Sequence, residues 1–383
     1  MTPNDRVSAS SSSKERLHGS TLEKVAILGT GLIGGSVGLA LKAARPGLQV
    51  IGFDTLPASA EAAEARGAID HAARSVEEAA TGADLVLLCM PVDLIPETLG
   101  ELGMAARGGA IVSDVGSAKT TIVMEGERLL GPLFVGGHPM TGSERHGIEA
   151  ADAALFRDAH WVLTPTPLTA SESYAAVASF VTMLGARPVA LDPSSHDALV
   201  ARLSHLPQLA ASAIVELAAG AGDRAALLGL AGPGFRDVTR IAASDPDLWV
   251  AIIKANTKAV VDSLTILEVR LKDLGEAIAA GRWNELKDFL GAARAARLEL
   301  FAKPEFGGLP VALSMMVPDR PGVLAEVTTA ATKLGANIED IRIVHSTEGG
   351  RGRLELVVAG EDRAEELVED LLGLGYHVDR RIE

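Results

Sequence analysis

A histidine placed just after an apolar strand is well sited for acid–base chemistry, and His138 holds that position in Gly136-Gly137-His138-Pro139-Met140. The run from Leu133 to Gly136 reads as a strand, so His138 should stand at the carboxyl edge of a sheet. A neutral imidazole there can take a proton from a hydroxyl while a hydride leaves the same carbon–oxygen unit. The alternative is a loop histidine bonded to backbone. Ser117, in Asp114-Val115-Gly116-Ser117-Ala118-Lys119, also follows an apolar run. It could bond a substrate hydroxyl, orient His138, or cap the next helix, and Lys119 reads as a surface charge. Further on, Ser204-His205-Leu206-Pro207-Gln208 interrupts an amphipathic helix. A proline there leaves a carbonyl unpaired and gives polar neighbours a reason to face a pocket, with a satisfied core histidine as the other reading of His205. Arg236 and Arg240 could clamp a carboxylate bidentately or pair with Asp237 or Asp245. Trp249 either walls that pocket or belongs to the core.

A departing hydride needs an acceptor. Val25-Ala26-Ile27-Leu28-Gly29-Thr30-Gly31-Leu32-Ile33-Gly34-Gly35 reads as strand, tight turn and helix. Gly29 and Gly31 would let the backbone turn and approach a pyrophosphate, and Gly34 would let helix pack on strand. The N–H groups at Leu32 and Ile33 would face the anion. Asp54 follows a second apolar run at the spacing of the carboxylate that binds a ribose 2′-hydroxyl. A 2′-phosphate would be repelled there and would find no cation among the next several residues, so NAD is favoured over NADP. Pro91 ends a third apolar run on the same side.

The elements that must position these groups are legible as alternation. From Lys24 to about Asp192, short β-rich runs alternate with Ala-rich helical segments, which argues a doubly wound parallel sheet. Residues 194 to 302 carry long helical periodicities, broken at Gly232-Pro233-Gly234. The last seventy or so residues return to strands in a βαββα order with a final strand, a ferredoxin-like module. The expected division is a disordered Ser-rich tail (1–20), a dinucleotide-binding domain (21–192), a helical domain (193–303), a linker (304–310) and the C-terminal module (311–383). At 383 residues, 48% hydrophobic and 22% charged, the chain can build several cores. A formal charge of −15 without a long basic run argues against a nucleic-acid partner. The single cysteine, Cys89, excludes an intrachain disulfide. No apolar run of membrane-spanning length and no signal peptide are read, so a cytoplasmic protein is expected, and no metal site is expected.

Four motifs in this order resemble the prephenate/arogenate dehydrogenase family of tyrosine biosynthesis: Gly29 to Ser36, His138-Pro139-Met140 with Gly142-Ser143-Glu144, Ser204-His205-Leu206-Pro207, and Phe235 to Ala242. The resemblance implies an α/β fold with an N-terminal Rossmann-like doubly wound domain, an all-α dimerisation domain and a C-terminal ferredoxin-like ACT domain. It implies that His138 takes the proton of the ring hydroxyl of prephenate or arogenate as hydride passes to NAD⁺ and carbon dioxide is lost. Ser117 would bond that hydroxyl or the histidine, and Arg240 a substrate carboxylate. Glu144 and Asp237 would shape the pocket mouth, and His205 would lie in the pocket-forming helix. Many members carry a second histidine where this chain has Gln208, which leaves prephenate against arogenate open. Asp319-Arg320-Pro321-Gly322-Val323 and Asn337-Ile338 resemble the effector loop of ACT domains, which implies an amino-acid effector such as tyrosine, bound in a homodimer. Rival readings are a β-hydroxyacid dehydrogenase and an amino-acid-binding regulatory protein.

Overall fold

The computed structural model describes residues 22–105, 109–141, 145–220, 229–301, 310–318, 323–336, 338–345 and 351–381. The expected tail, residues 304–309 of the linker, Glu144, Asp319 to Gly322 and Asn337 lie outside them. The chain divides into two compact units, Met1–Glu268 and Val269–Glu383.

The first unit is built on an eight-stranded sheet. Its strands are β1 (Lys24–Leu28), β2 (Gln49–Phe53), β3 (His71–Ala72), β4 (Leu85–Leu88), β5 (Ile111–Asp114), β6 (Phe134–Pro139), β7 (His160–Thr164) and β8 (Arg187–Ala190). The helices between them are α1 (Leu32–Ala44), α2 (Pro57–Ala65), α3 (Val76–Ala80), α4 (Ile95–Ala105), α5 (Thr120–Leu130) and α6 (Ser171–Met183). The strand order is β3-β2-β1-β4-β5-β6-β7-β8. Every residue of β4, an uninterrupted apolar run, is buried, as cover on both faces requires, and so is every residue of β5, including the polar Ser113 and Asp114. Strands β3 to β6 are parallel, as expected.

The expectation of a wholly parallel sheet fails at β7, which runs antiparallel to β6 and carries β8 parallel to itself. Among the described residues, the β6–β7 connection holds only a 3₁₀ turn, Ile148–Ala150. Without a crossover helix the chain re-enters from the edge it left, reversed; between β7 and β8, α6 supplies the crossover. Strand β3, two residues long, is too short to leave a period in the sequence.

Helices follow β8: α7 (Pro193–Val200), a π-helical turn (Ala201–His205), α8 (Leu206–Ala219), α9 (Pro233–Thr239), a 3₁₀ turn (Arg240–Ala243), α10 (Pro246–Ala255) and α11 (Thr257–Ala279). Helices α7, α9 and α10 each carry proline in the first turn, where its missing N–H costs no helical bond, whereas Pro207 of α8 lies inside a continuous helix. Asp192 caps α7 through the N–H groups of Ser194 and Ser195, and Asp245 caps α10 through that of Asp247. Pro207 therefore does not break the helix as expected. The π turn absorbs the misfit, with the Leu206 N–H reaching back to the carbonyl of Ala201. The continuous stretch Pro193–Ala219 has 27 residues and contains an 18-residue window of mean hydropathy 1.3. A core helix also reaches that length and hydropathy, and this one buries His196, Asp197, His205 and Gln208, side chains used below to build a site.

In the second unit, beyond the end of α11, stand α12 (Trp283–Phe301) and a module made of β9 (Pro310–Pro318), α13 (Val323–Lys333), β10 (Ile338–His345), β11 (Arg351–Ala359), α14 (Glu361–Gly373) and β12 (Val378–Arg381). Its antiparallel sheet, ordered β10-β11-β9-β12, has the ferredoxin-like arrangement expected. Alternate residues Leu313, Met315 and Val317 of β9 pack with Leu354, Leu356 and Val358 of β11 against Val327, Leu367 and Leu371 from the two helices.

Candidate active site

The glycine loop lies where β1 meets α1, at the carboxyl edge of the sheet. Gly29 has φ +97°, and a Cβ there would come within 2.4 Å of the carbonyl oxygen of Cys89 at the end of the neighbouring strand. A Cβ at Gly34 would meet the Gly29 carbonyl oxygen at 1.9 Å, so helix and strand approach only as glycines. A Cβ at Gly31 would meet nothing within 4 Å, leaving open space in front of the loop. No side chain caps α1, and its first N–H groups, at Leu32 and Ile33, are oriented for an anion. Asp54 directly follows β2 beside the loop, its Oδ2 accepting from the Thr30 N–H at 2.9 Å and the Thr30 hydroxyl at 3.2 Å. Oδ1 accepts from the Leu56 N–H at 3.0 Å, and the carboxylate keeps further lone pairs for a ribose. Open space, a free helix start and a fixed carboxylate fit a dinucleotide. Pro91 lies exposed just past β4.

His138 stands at the carboxyl edge of β6, parallel to β5, on the same side as the loop. It is half-buried, and its Nδ1 lies 2.8 Å from Nε2 of His196. Nδ1 of His196 lies 2.9 Å from Oδ1 of Asp197. The Asp197 carboxylate also accepts the N–H groups of Lys119 at 2.7 Å and Thr120 at 2.8 Å, capping α5 from a distant helix. Burial would raise the Asp197 pKa, but its bonds from His196, Thr120 and Lys119 outweigh that and hold it below the usual value. Burial pushes the His138 imidazole well below its ordinary pKa, and the cationic forms of His196, Lys119 and His205 add to the fall, with Asp197 opposing. His138 is thus neutral and able to accept a proton.

Lys119 is fully buried, which corrects the reading of a surface charge. Its Nζ pairs with Asp114 and donates to the carbonyl of Gly137 at 2.8 Å, while the Gly137 N–H donates to Asp114 at 3.0 Å. The pair clamps the backbone next to His138. Ser117 sits half-buried between Asp114 and Lys119 and is not the cap of α5, whose N-cap is Lys119 itself.

The π turn puts His205 inward, 1% exposed. Asn256, which follows α10, donates from Nδ2 to the carbonyl of Asp197 at 2.9 Å and lies 3.3 Å from Nδ1 of His205. Trp249 meets the His205 ring edge-on, centroids 5.9 Å apart, and packs half-buried against the core beneath β4. Burial pushes His205 down to about 4. Gln208, 5% exposed, keeps a buried Oε1 without a hydrogen-bond partner among the described residues. Arg240 and Asp237 lie on the exposed side of α9 and the 3₁₀ turn after it. The structure thus joins His138 to His205 through His196, Asp197 and Asn256, residues the sequence reading did not single out. The one signal for His196 and Asp197 was a polar pair directly before the apolar run Ala198-Leu199-Val200. Cys89 packs against the core, and burial pushes its thiol up, as a small apolar residue. Among the described residues no cluster could hold a metal ion.

Residues 37–190 match the model for the nucleotide-binding domain of prephenate dehydrogenase, residues 192–292 that for its dimerization domain, and residues 313–376 an ACT domain like that of the AHAS small subunit. A prephenate dehydrogenase of Bacillus subtilis is 31% identical over 91% of this chain and 96% of its own. The crystal structure of prephenate dehydrogenase from Aquifex aeolicus, in complex with hydroxyphenyl propionate and NAD⁺, superposes with TM-score 0.70 at 31% identity, covering 74% of this chain and 99% of that one. That of Synechocystis arogenate dehydrogenase superposes with TM-score 0.64 at 34% identity, covering 72% and 98%.

Proposed function

The chain belongs to the prephenate dehydrogenase family, and on that premise we propose that it converts prephenate and NAD⁺ to 4-hydroxyphenylpyruvate, carbon dioxide and NADH. The observation that carries the reading is His138, kept neutral by burial on the sheet edge that presents the glycine loop. The cofactor, when bound, takes the hydride from the ring carbon that bears the hydroxyl. His138 accepts the hydroxyl proton as the carbon–oxygen double bond forms. Loss of carbon dioxide then sends its electron pair through the ring to that oxygen, and the His138 imidazolium returns the proton to give the phenol. No proton is released overall. Ser117, half-buried ahead of α5, bonds the same hydroxyl in this reading. Arg240 holds a substrate carboxylate, Trp249 and His205 wall the ring, and Glu144 and Asp237 shape the mouth, as in the family resemblance.

Gln208 supports a second reading. Its buried amide can accept from the ammonium of arogenate as readily as it can donate to the keto oxygen of prephenate. Initial rates with each substrate, each with NAD⁺ and NADP⁺, separate them. We expect prephenate with NAD⁺ to be preferred; turnover of arogenate alone would assign the chain to tyrosine formation directly.

The working molecule in this reading is a homodimer. Apolar side chains stand exposed on α8 (Ile214, Val215, Leu217) and α11 (Val261, Leu264, Ile266), a surface suited to a partner. The ACT domain takes an amino acid, tyrosine by this account, with Val323 at the start of α13 and Ile338 at the start of β10 flanking the loop residues Asp319, Arg320, Pro321, Gly322 and Asn337. Its lone cysteine suits a reducing compartment, and we place the enzyme in the cytoplasm, with neither nucleic acid nor membrane as partner.

A further inference from the structure

We propose that His196 and Asp197 are positioning residues that fix the tautomer of His138, leaving its Nε2 bare for the substrate proton. The inference rests on the reading of His138 as the base. It follows from which atoms can donate. Asp197 is an acceptor, engaged by the N–H groups of Lys119 and Thr120, so His196 Nδ1, 2.9 Å away, must carry a proton. In a neutral His196 ring the other nitrogen, Nε2, is then an acceptor. His138 Nδ1, 2.8 Å from it, must donate, and a neutral His138 holding its proton on Nδ1 has its lone pair on Nε2.

The competing arrangement has His196 charged, donating from both nitrogens. It would leave His138 with its proton on Nε2, unable to act as the base there. The chain of donors also has a use during reaction. When Nε2 takes the hydroxyl proton, the Nδ1–H bond to His196 becomes charge-assisted, and the Asp197 carboxylate behind it stabilises the new imidazolium. The bond broken is the hydroxyl O–H and the bond formed is Nε2–H, with no transfer to His196 required.

Asp197 is held independently of the histidines. Its carboxylate caps α5 and its carbonyl accepts from Asn256, so α7 is pinned at both faces of the residue. The same Asn256 Nδ2 faces His205 Nδ1, which makes that nitrogen an acceptor and leaves the proton of His205 on Nε2. One anchored carboxylate residue thereby sets two rings in opposite senses, His138 with a bare Nε2 and His205 with a protonated one.

The test uses the full-length protein, its His196→Leu and His196→Gln variants, nitrogen-15 spectra of the histidine rings, and pH profiles of kcat with prephenate. The wild type should show His138 protonated on Nδ1 and bare on Nε2 at neutral pH. His196→Leu should lose that preference and about 10²-fold in kcat, with KM for prephenate and NAD⁺ changed less than about threefold. His196→Gln, whose Oε1 can accept from Nδ1, should recover kcat to within about tenfold of wild type. The charged or titratable groups facing His138 are His196 and Asp197 from α7, Lys119 before α5 and His205 from the π turn. With the acceptor gone, the imidazolium is less stable, so the acid limb of the profile should move to lower pH in His196→Leu. A wild-type His138 protonated on Nε2, or an unchanged kcat in His196→Leu, would overturn the proposal. Absence of prephenate turnover in the wild type would sink the assigned reaction, while the ring spectra would still decide the tautomer.

Discussion

Replacing the His138 imidazole by the amide of asparagine removes the proton acceptor but leaves a polar group of similar reach, so cofactor binding should survive. We expect His138→Asn to lower kcat by about 10² or more with the NAD⁺ dissociation constant nearly unchanged, read by steady-state rates and fluorescence titration. An unaltered rate would remove His138 from the chemistry. At this scale the residues legible in the sequence are those whose role depends on local context. Asp54 is marked by its spacing from the loop glycines, and His138 by following a strand. His196 is not marked, because its partner is 58 residues away and its contact exists only once α7 lies across the sheet edge. Lys119 was misread for the same reason: nothing local distinguishes a lysine paired with a buried Asp114 from one in water.

The stretch from α7 through the π turn to α8 concentrates the buried polar groups of the site, and it should carry a pH signature of stability. His205 titrates at about 4 in the folded chain against about 6.5 when unfolded. As pH falls through this window, the unfolded chain takes up a proton that the native ring refuses. Stability present above about pH 6.5 is therefore lost on the way down to about 4, by at most about 3 kcal/mol from His205. The His138 pKa, also depressed, acts in the same direction. Urea midpoints across this range should fall with acid, and His205→Asn should flatten the slope; an equal slope in the variant would place the proton uptake elsewhere. The sequence revealed this stretch as apolar and helical with a proline misfit. It did not reveal that the misfit is absorbed by a π turn, because that outcome depends on what the turned-in His205 can bond. The reversal of β7 was likewise hidden, since it depends on what connects two strands that each look ordinary.

Across the whole molecule, the family matches set the ACT domain, residues 313–376, apart from the nucleotide-binding and dimerization domains. The Aquifex structure is matched over 99% of its length by 74% of this chain, so a chain truncated after Lys303 should keep prephenate turnover, and under the proposed role of the ACT domain it should lose any response to added tyrosine. A retained response would move the effector site out of the ACT domain. The ferredoxin-like order was readable because β9 alternates and amphipathic helices follow β9 and β11. The central claim is tested most directly by following NADH and carbon dioxide together when the full-length protein is given prephenate and NAD⁺. We predict that the two rise in equal amounts with 4-hydroxyphenylpyruvate as the organic product. No NADH from prephenate, or NADH without carbon dioxide, would contradict it.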